Sequence, residues 1–138
     1  MVLTKSELIA SLQHEVRILL HLAGKIDRTH LDYRPTPKQR STIELLRYLV
    51  AMGPELVKAT KAGGFDPAVW TAATKAADAL DFDQTLAAIA AQSDLYATLL
   101  GDMSDAEFRS EISMFGRPTT RGSFLVNLCL CGCAAYRT

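Results

Sequence analysis

The chain has 138 residues, 49% of them apolar, and its 15 basic side chains balance 15 acidic ones. That length buries a sizeable core in a single domain, residues 1–138, without disulfide or metal staples. The even charge gives no clustered basic face for phosphate, which argues against nucleic acid as a partner, and no stretch approaches the roughly 20 apolar residues of a membrane span.

Met1-Val2-Leu3-Thr4-Lys5-Ser6-Glu7 lacks a signal-peptide pattern and leads directly into a helix. Thr4 and Glu7 form a capping box, in which the hydroxyl accepts from first-turn amides and the carboxylate reaches back. The helix is expected to reach about Lys25, with Leu8, Leu12, Val16, Leu19, Ala23 and Ile26 on one stripe. His14 and His21 fall opposite that stripe, which disqualifies them as an inward-facing metal pair in a bundle.

Pro35 and Pro37 keep Gly24 to Arg40 a loop. A second capping box, Ser41 to Glu44, opens a helix whose apolar arc runs Ile43, Leu45, Leu46, Leu49, Val50 and Met52, with Tyr48 at its edge. Gly53-Pro54 predicts a kink or a brief break before Glu55-Lys61. Gly63-Gly64 closes the element, and Asp66-Pro67 starts a short helix with proline in its first turn. That helix carries Trp70, the only tryptophan, which reads as a lid on the core, with a ligand platform as the alternative.

Asp81-Phe82-Asp83-Gln84 opens a third long helix with Phe82, Leu86, Ile89, Tyr96 and Leu100 inward. Ser104 to Glu107 is a further capping box, starting a short helix that ends by Gly116. Pro118 restricts the approach to a last helix that Thr119 or Thr120 caps. Nothing reads as a strand. The pattern predicts an all-α, up-and-down four-helix bundle with short extra helices in its connections.

The last helix, Arg121 to Thr138, is apolar on nearly every side and carries Cys129, Cys131 and Cys133. Thiols this close on one helix are badly placed to pair, and an unpaired set suits a reducing cytoplasm. The wheel puts Leu125, Leu128, Cys129, Gly132 and Tyr136 inward and Cys131 and Cys133 on the flanks. Val126, Leu130 and Ala134 lie opposite. A helix apolar on both sides is normally covered on both, which points to a homodimer through the last helix.

Asp32-Tyr33-Arg34-Pro35, the segment Arg40 to Leu49 and the closing Ala135-Tyr136-Arg137-Thr138 together resemble the DinB/YfiT-like family of four-helix bundles. The resemblance implies a further turn or more of helix after Thr138. It also implies a metal held by three histidines, one in the second helix and two in the last. The matching positions are Tyr48, Gly132 and Tyr136. A protonated phenol is a poor ligand and glycine has no side chain, so the expectation is no metal, no cofactor and a degenerate site.

Gly132 inside a helix costs about 1 kcal/mol relative to alanine, which suggests a ring packed against its bare backbone, with Tyr48 and Tyr136 as the rings. Tyr48, Cys129, Gly132 and Tyr136 are thus the candidate pocket for a small-molecule ligand, with core filling the alternative. Arg34 and Arg137 are expected to brace the fold on a carboxylate such as Glu44, with anion binding the alternative. The functional expectation is a non-catalytic small-molecule-binding or interaction module. The alternative, implied by the resemblance, is a metal-dependent thiol transferase or isomerase. Cysteine nucleophilic catalysis is disfavoured, because the late-helix position and the lack of a nearby histidine leave the thiols unactivated.

Overall fold

Helix starts occur where the sequence supplies a side chain for the first-turn amides. In the computed structural model, which describes residues 3–138, Thr4 Oγ1 accepts from the Glu7 amide at 3.2 Å and Glu7 accepts from the Thr4 amide at 2.8 Å. Met1 and Val2, which open the amino-terminal stretch discussed above, lie outside the described residues. Reciprocal boxes of the same kind join Ser41 with Glu44, Asp81 with Gln84 and Ser104 with Glu107. Thr120 caps the last helix by accepting from the Ser123 amide at 3.2 Å.

These caps delimit α1 (Lys5–Ala23), α2 (Thr42–Ala62), α3 (Pro67–Asp78), α4 (Phe82–Gly101) and α5 (Asp105–Arg109). The last helix is built of α6 (Arg121–Phe124), a π-helical stretch (Leu125–Leu130) and α7 (Cys131–Arg137). α1, α2, α4 and the last helix form an up-and-down four-helix bundle, with α3 and α5 in the connections. The inward stripes meet in one buried cluster that includes Leu12, Leu49, Val57, Ile89, Tyr96, Leu100, Leu125 and Cys129. His14 and His21 are exposed on α1, as their place on the wheel requires.

Three expectations are corrected. The stretch between α5 and α6 is not all helix and turn: β1 (Glu111–Met114) pairs antiparallel with β2 (Arg117–Thr120), Ile112 opposite Thr119. Ile112 and Met114 point into the core. Phe115 and Gly116 both take positive φ, 53° and 76°, as a tight two-residue hairpin turn demands. Phe115 holds this uncommon backbone while its ring packs on Phe65, centroids 5.1 Å apart. Pro118 is tolerated because a strand of a two-stranded ribbon has a free edge.

Second, α2 runs through Gly53-Pro54 without a break. Proline removes the amide that would bond to Val50 O, and inside a helix it costs about 3 kcal/mol. Here the freed carbonyl finds a donor on α4: buried Gln92 Nε2 lies 2.8 Å from Leu49 O and 3.2 Å from Val50 O. A hydrogen bond of this kind contributes about 1 kcal/mol, and leaving the carbonyl bare costs about 1–3 kcal/mol. Gln92 therefore offsets part of the proline penalty and ties α2 to α4 at that point.

The third correction concerns the glycine that accepts a ring. It is Gly53, not Gly132. A Cβ at Gly53 would overlap the Tyr96 hydroxyl, lie 3.1 Å from Tyr96 Cζ and reach 3.4 Å from Cys133 Sγ. A Cβ at Gly132 would meet only Met52, Cε at 3.5 Å and Sδ at 3.6 Å, both ordinary van der Waals distances. Tyr96 is 1% exposed and cannot yield by swinging into solvent.

Gly53→Ala is expected to destabilise the protein by about 1–3 kcal/mol, the usual range for overpacking. Tyr96→Phe, which deletes the overlapping hydroxyl, should recover most of that loss. Urea unfolding of the two single variants and the double variant measures the coupling, and strictly additive losses would refute this seat for the ring.

Candidate functional site

Tyr48 stands in the second turn of α2, where the last helix and α3 both reach it. Its ring contacts Tyr136 edge-on, centroids 5.2 Å apart, and Trp70 at 6.0 Å. The Arg40 guanidinium covers the Tyr48 ring at 3.9 Å from its centroid, an attraction between cation and ring quadrupole. Burial, and next the Tyr136 hydroxyl, push the Tyr48 phenol above its ordinary range. It is a neutral hydrogen-bonding group at physiological pH.

Beside Tyr48 lies a cavity of about 480 Å³ lined by Arg40, Glu44, Arg47, Tyr48, Trp70, Thr74 and Asp78. Its volume lies within the range of small-molecule sites. Arg47 is anchored through Nε, which donates to Leu80 O at 2.8 Å. Glu44 is held from behind: Arg34 Nη1 donates to it at 2.8 Å and Arg34 Nη2 makes a second bond. Arg34, and after it the Ser41 amide, keep the Glu44 carboxyl below the usual carboxylate range. Arg34 also donates to Gln39 O at 2.9 Å, so the pair braces the loop against the start of α2.

Arg137 braces a different joint. Its partner is Glu15 on α1 and not Glu44. Both side chains are largely covered, and the pair locks the end of the last helix to the middle of α1. Arg121 fastens the start of that helix, donating through Nε to Thr60 O at 3.0 Å and through Nη1 to Ser110 Oγ at 2.6 Å. Sequence reasoning passed over Arg121, although a cation after a helix C-cap glycine in space has no sequence-local signal.

The four candidate pocket residues separate in space. Tyr48 and Tyr136 meet. Cys129 lies fully buried in the core, and Gly132 faces Met52. The π-helical stretch explains the separation, because its i→i+5 bonding gives more than 3.6 residues per turn. An α-helical wheel therefore runs out of phase across it. The inward stripe is Leu125, Cys129 and Cys133, four apart, while Leu128 turns outward and is 38% exposed. Cys133, expected on a flank, sits 3.9 Å from the Tyr96 hydroxyl.

The residues at the positions implied for a metal do not make a donor set. Tyr48 and Tyr136 engage each other as rings, and Gly132 has no side chain between them. Burial pushes the Cys129 thiol up to about 12, the neighbouring Cys133 adding to the effect. Cys133 is also raised, again chiefly by burial. Among the described residues, no three His, Cys, Asp or Glu side chains converge closely enough to hold a metal ion.

Two larger hollows lie elsewhere. A groove of about 750 Å³ runs between the start of α1 and the last helix, past Leu3, Leu8, Phe108 and Val126. It adjoins another of about 630 Å³ that takes in Ala10, His14, Leu130 and Ala134. Of the two basic side chains in the first, Lys5 and Arg109, Lys5 is committed to structure: its Nζ caps the C-terminus of α4 through Gly101 O at 2.8 Å and Met103 O at 3.1 Å. No helix among the described residues is long and apolar enough to cross a membrane.

The thiols give a direct check on this geometry. At neutral pH a thiol reagent should modify exposed Cys131 rapidly, and Cys129 and Cys133 only when the protein unfolds. Above about pH 8.5 an unfolded chain releases the thiol proton, whereas folded Cys129 keeps it up to about 12. The folded state binds more protons across that window, so stability is unaffected below it and falls as pH rises through it. Urea titrations should show a shallower decline for Cys129→Ala, and equal slopes would refute burial of that thiol.

No protein-family model matches this sequence, and no curated protein matches it. Comparison of folds finds the crystal structure of a DinB-like protein, YjoA, from Bacillus subtilis. The two share 16% identity and a TM-score of 0.71 over 94% of this chain and 83% of that one. The bundle has the DinB-like fold.

Proposed function

We propose that this protein is a non-catalytic small-molecule-binding bundle whose site is the cavity beside Tyr48, with the metal position of the resembled family degenerate. The observation that carries the reading is Tyr48 itself. At the position implied for a histidine ligand it instead forms the wall of a cavity of about 480 Å³, backed by Tyr136 and covered by Arg40. Two aromatic side chains, Tyr48 and Trp70, share the lining with Arg40, Glu44, Arg47, Thr74 and Asp78, so polar groups that fix a ligand's orientation converge on an aromatic wall. The free thiols support a cytoplasmic setting.

Trp70 is the only tryptophan and lines this cavity, so its fluorescence reports occupancy. A compound set spanning anions, neutral molecules and cations, titrated against protein stripped with chelator, should yield saturable quenching by at least one class. Tyr48→Phe with Tyr136→Phe should weaken that binding by about 2–10-fold, the equivalent of one or two lost hydrogen bonds. Unchanged affinity, or no saturable response to any class, overturns the reading. Near-stoichiometric zinc or nickel in protein purified without tag or chelator would overturn the degenerate site and restore the metal-dependent thiol transferase.

A second reading, a homodimer, is favoured by the hollows along α1 and the last helix. Half-covered Val126, Leu130 and Ala134 lie there with α1 Ala10. α1 presents Glu7 and Arg17 at opposite ends of this strip, ten residues and about 15 Å apart. A second copy packed antiparallel about a two-fold axis would set each Glu7 against the other's Arg17, the self-complementarity an isologous interface requires. Light scattering at micromolar concentration should give the dimer mass, with Ala134→Glu converting it to monomer. Monomer alone for the unaltered protein would refute this surface as a dimer face.

A further inference from the structure

The lining of the Tyr48 cavity carries an uneven set of charges. Arg40 and Arg47 contribute two guanidiniums, and Glu44 and Asp78 contribute two carboxylates. Glu44 is already neutralised by Arg34. Among the described residues, neither Arg40 nor Asp78 takes part in an ion pair. With the Arg34–Glu44 pair set aside, two cations face one anion, which leaves a surplus of one positive charge.

The guanidiniums are also held in position. Arg47 is anchored at Nε by Leu80 O, and its terminal N–H groups have no hydrogen-bond partner among the described residues. Arg40 holds its Cζ 3.9 Å from the centroid of the Tyr48 ring, and its N–H donors make no hydrogen bond among the described residues, which leaves them free to bind. A planar fork of N–H donors matches a carboxylate in two-point fashion. The remaining wall is the half-buried Trp70 ring and the Thr74 side chain, whose hydroxyl is turned back to Trp70 O at 3.1 Å. That leaves the Trp70 ring as the aromatic face against which a flat ring can lie.

Resting on the binding role proposed above, we propose that the ligand is a singly charged aromatic carboxylate. Its carboxylate accepts from Arg40 and Arg47, and its ring lies against Trp70. The single surplus charge selects a monoanion over a phosphate dianion, and Asp78 at the rim repels any second negative group.

The probes are benzoate, its neutral isostere benzamide and the cation benzylamine, each titrated against the full chain with Trp70 fluorescence and thermal unfolding as readouts. Benzoate should bind about tenfold or more tightly than benzamide, the margin of a charge-assisted pair, and added salt should reduce that margin. Arg40→Gln, at an exposed position, should abolish the preference while lowering Tm without ligand only slightly, by the loss of one exposed cation–ring contact. Arg47→Lys should reduce it, since an ammonium keeps the charge and loses the fork. Equal or tighter binding of benzamide or benzylamine overturns the anion assignment and leaves the cavity a binding site. Silence from all three probes overturns the assignment as well, and the broader compound set then decides whether the cavity binds anything. A benzoate preference that persists in Arg40→Gln and Arg47→Lys alike places the anion elsewhere and also overturns the proposal.

Discussion

The bundle depends on one joint, where α2 carries Gly53-Pro54 and α4 answers with Gln92 and Tyr96. Neither helix tolerates the other's sequence alone. Pro54 strands the Val50 carbonyl, and a buried carbonyl without a donor is costly. Gln92 is a buried amide that would itself be costly without an acceptor. Each removes the other's penalty. One residue before the proline, the bare backbone of Gly53 receives the Tyr96 hydroxyl, and Cys133 of the last helix completes the seat. Three of the four long helices are thereby registered to one another at a single level of the bundle. The fourth, α1, is drawn in by Glu15, through Arg137.

That registration governs what the last helix can present. Its π-helical stretch brings Leu125, Cys129 and Cys133 inward at intervals of four, so Cys133 reaches Tyr96. Leu128 and Cys131 are turned outward as a consequence, and Tyr136 arrives beside Tyr48 instead of pointing into the centre. The widened turn thus connects the interior joint with both surface features of interest, the half-covered apolar strip and the aromatic wall. Rare helical geometry of this kind is commonly found next to functional sites, and here its physical effect is a shift of phase.

The parts of the fold that were legible in the sequence are those with local physical causes. A hydroxyl followed three residues later by a carboxylate or amide names a helix start whatever the tertiary context, and the capping boxes at Thr4, Ser41 and Ser104 and the aspartate cap at Asp81 occur where the sequence places them. The inward stripes of α1, α2 and α4 follow from periodicity in the same way. What stayed hidden depends on partners distant in sequence. The hairpin turn uses Phe115-Gly116, stabilised by Phe65 from another part of the chain, so the usual Asn-Gly signal is missing. Pro54 reads as a breaker because its remedy, Gln92, lies 38 positions later on an apolar stripe. The π-helical stretch has no composition of its own, and every residue assigned beyond it by an α-helical wheel is rotated accordingly.

For the candidate site, the resemblance supplied Tyr48, Gly132 and Tyr136 and the helical wheel added Cys129. Tyr48 and Tyr136 meet, Gly132 faces Met52, and Cys129 is inward as the wheel has it but deep in the core. The guanidiniums of Arg40 and Arg47 drew no attention for an ordinary reason: isolated arginines near a helix start normally solvate or pair with nearby carboxylates. Here the nearest carboxylate, Glu44, is engaged by Arg34 from the loop side. That prior pairing is what leaves the cavity its positive character. A third arginine, Arg34, ten residues before Glu44 and bonded both to it and to the loop, sets the charge that the Tyr48 cavity offers to a ligand.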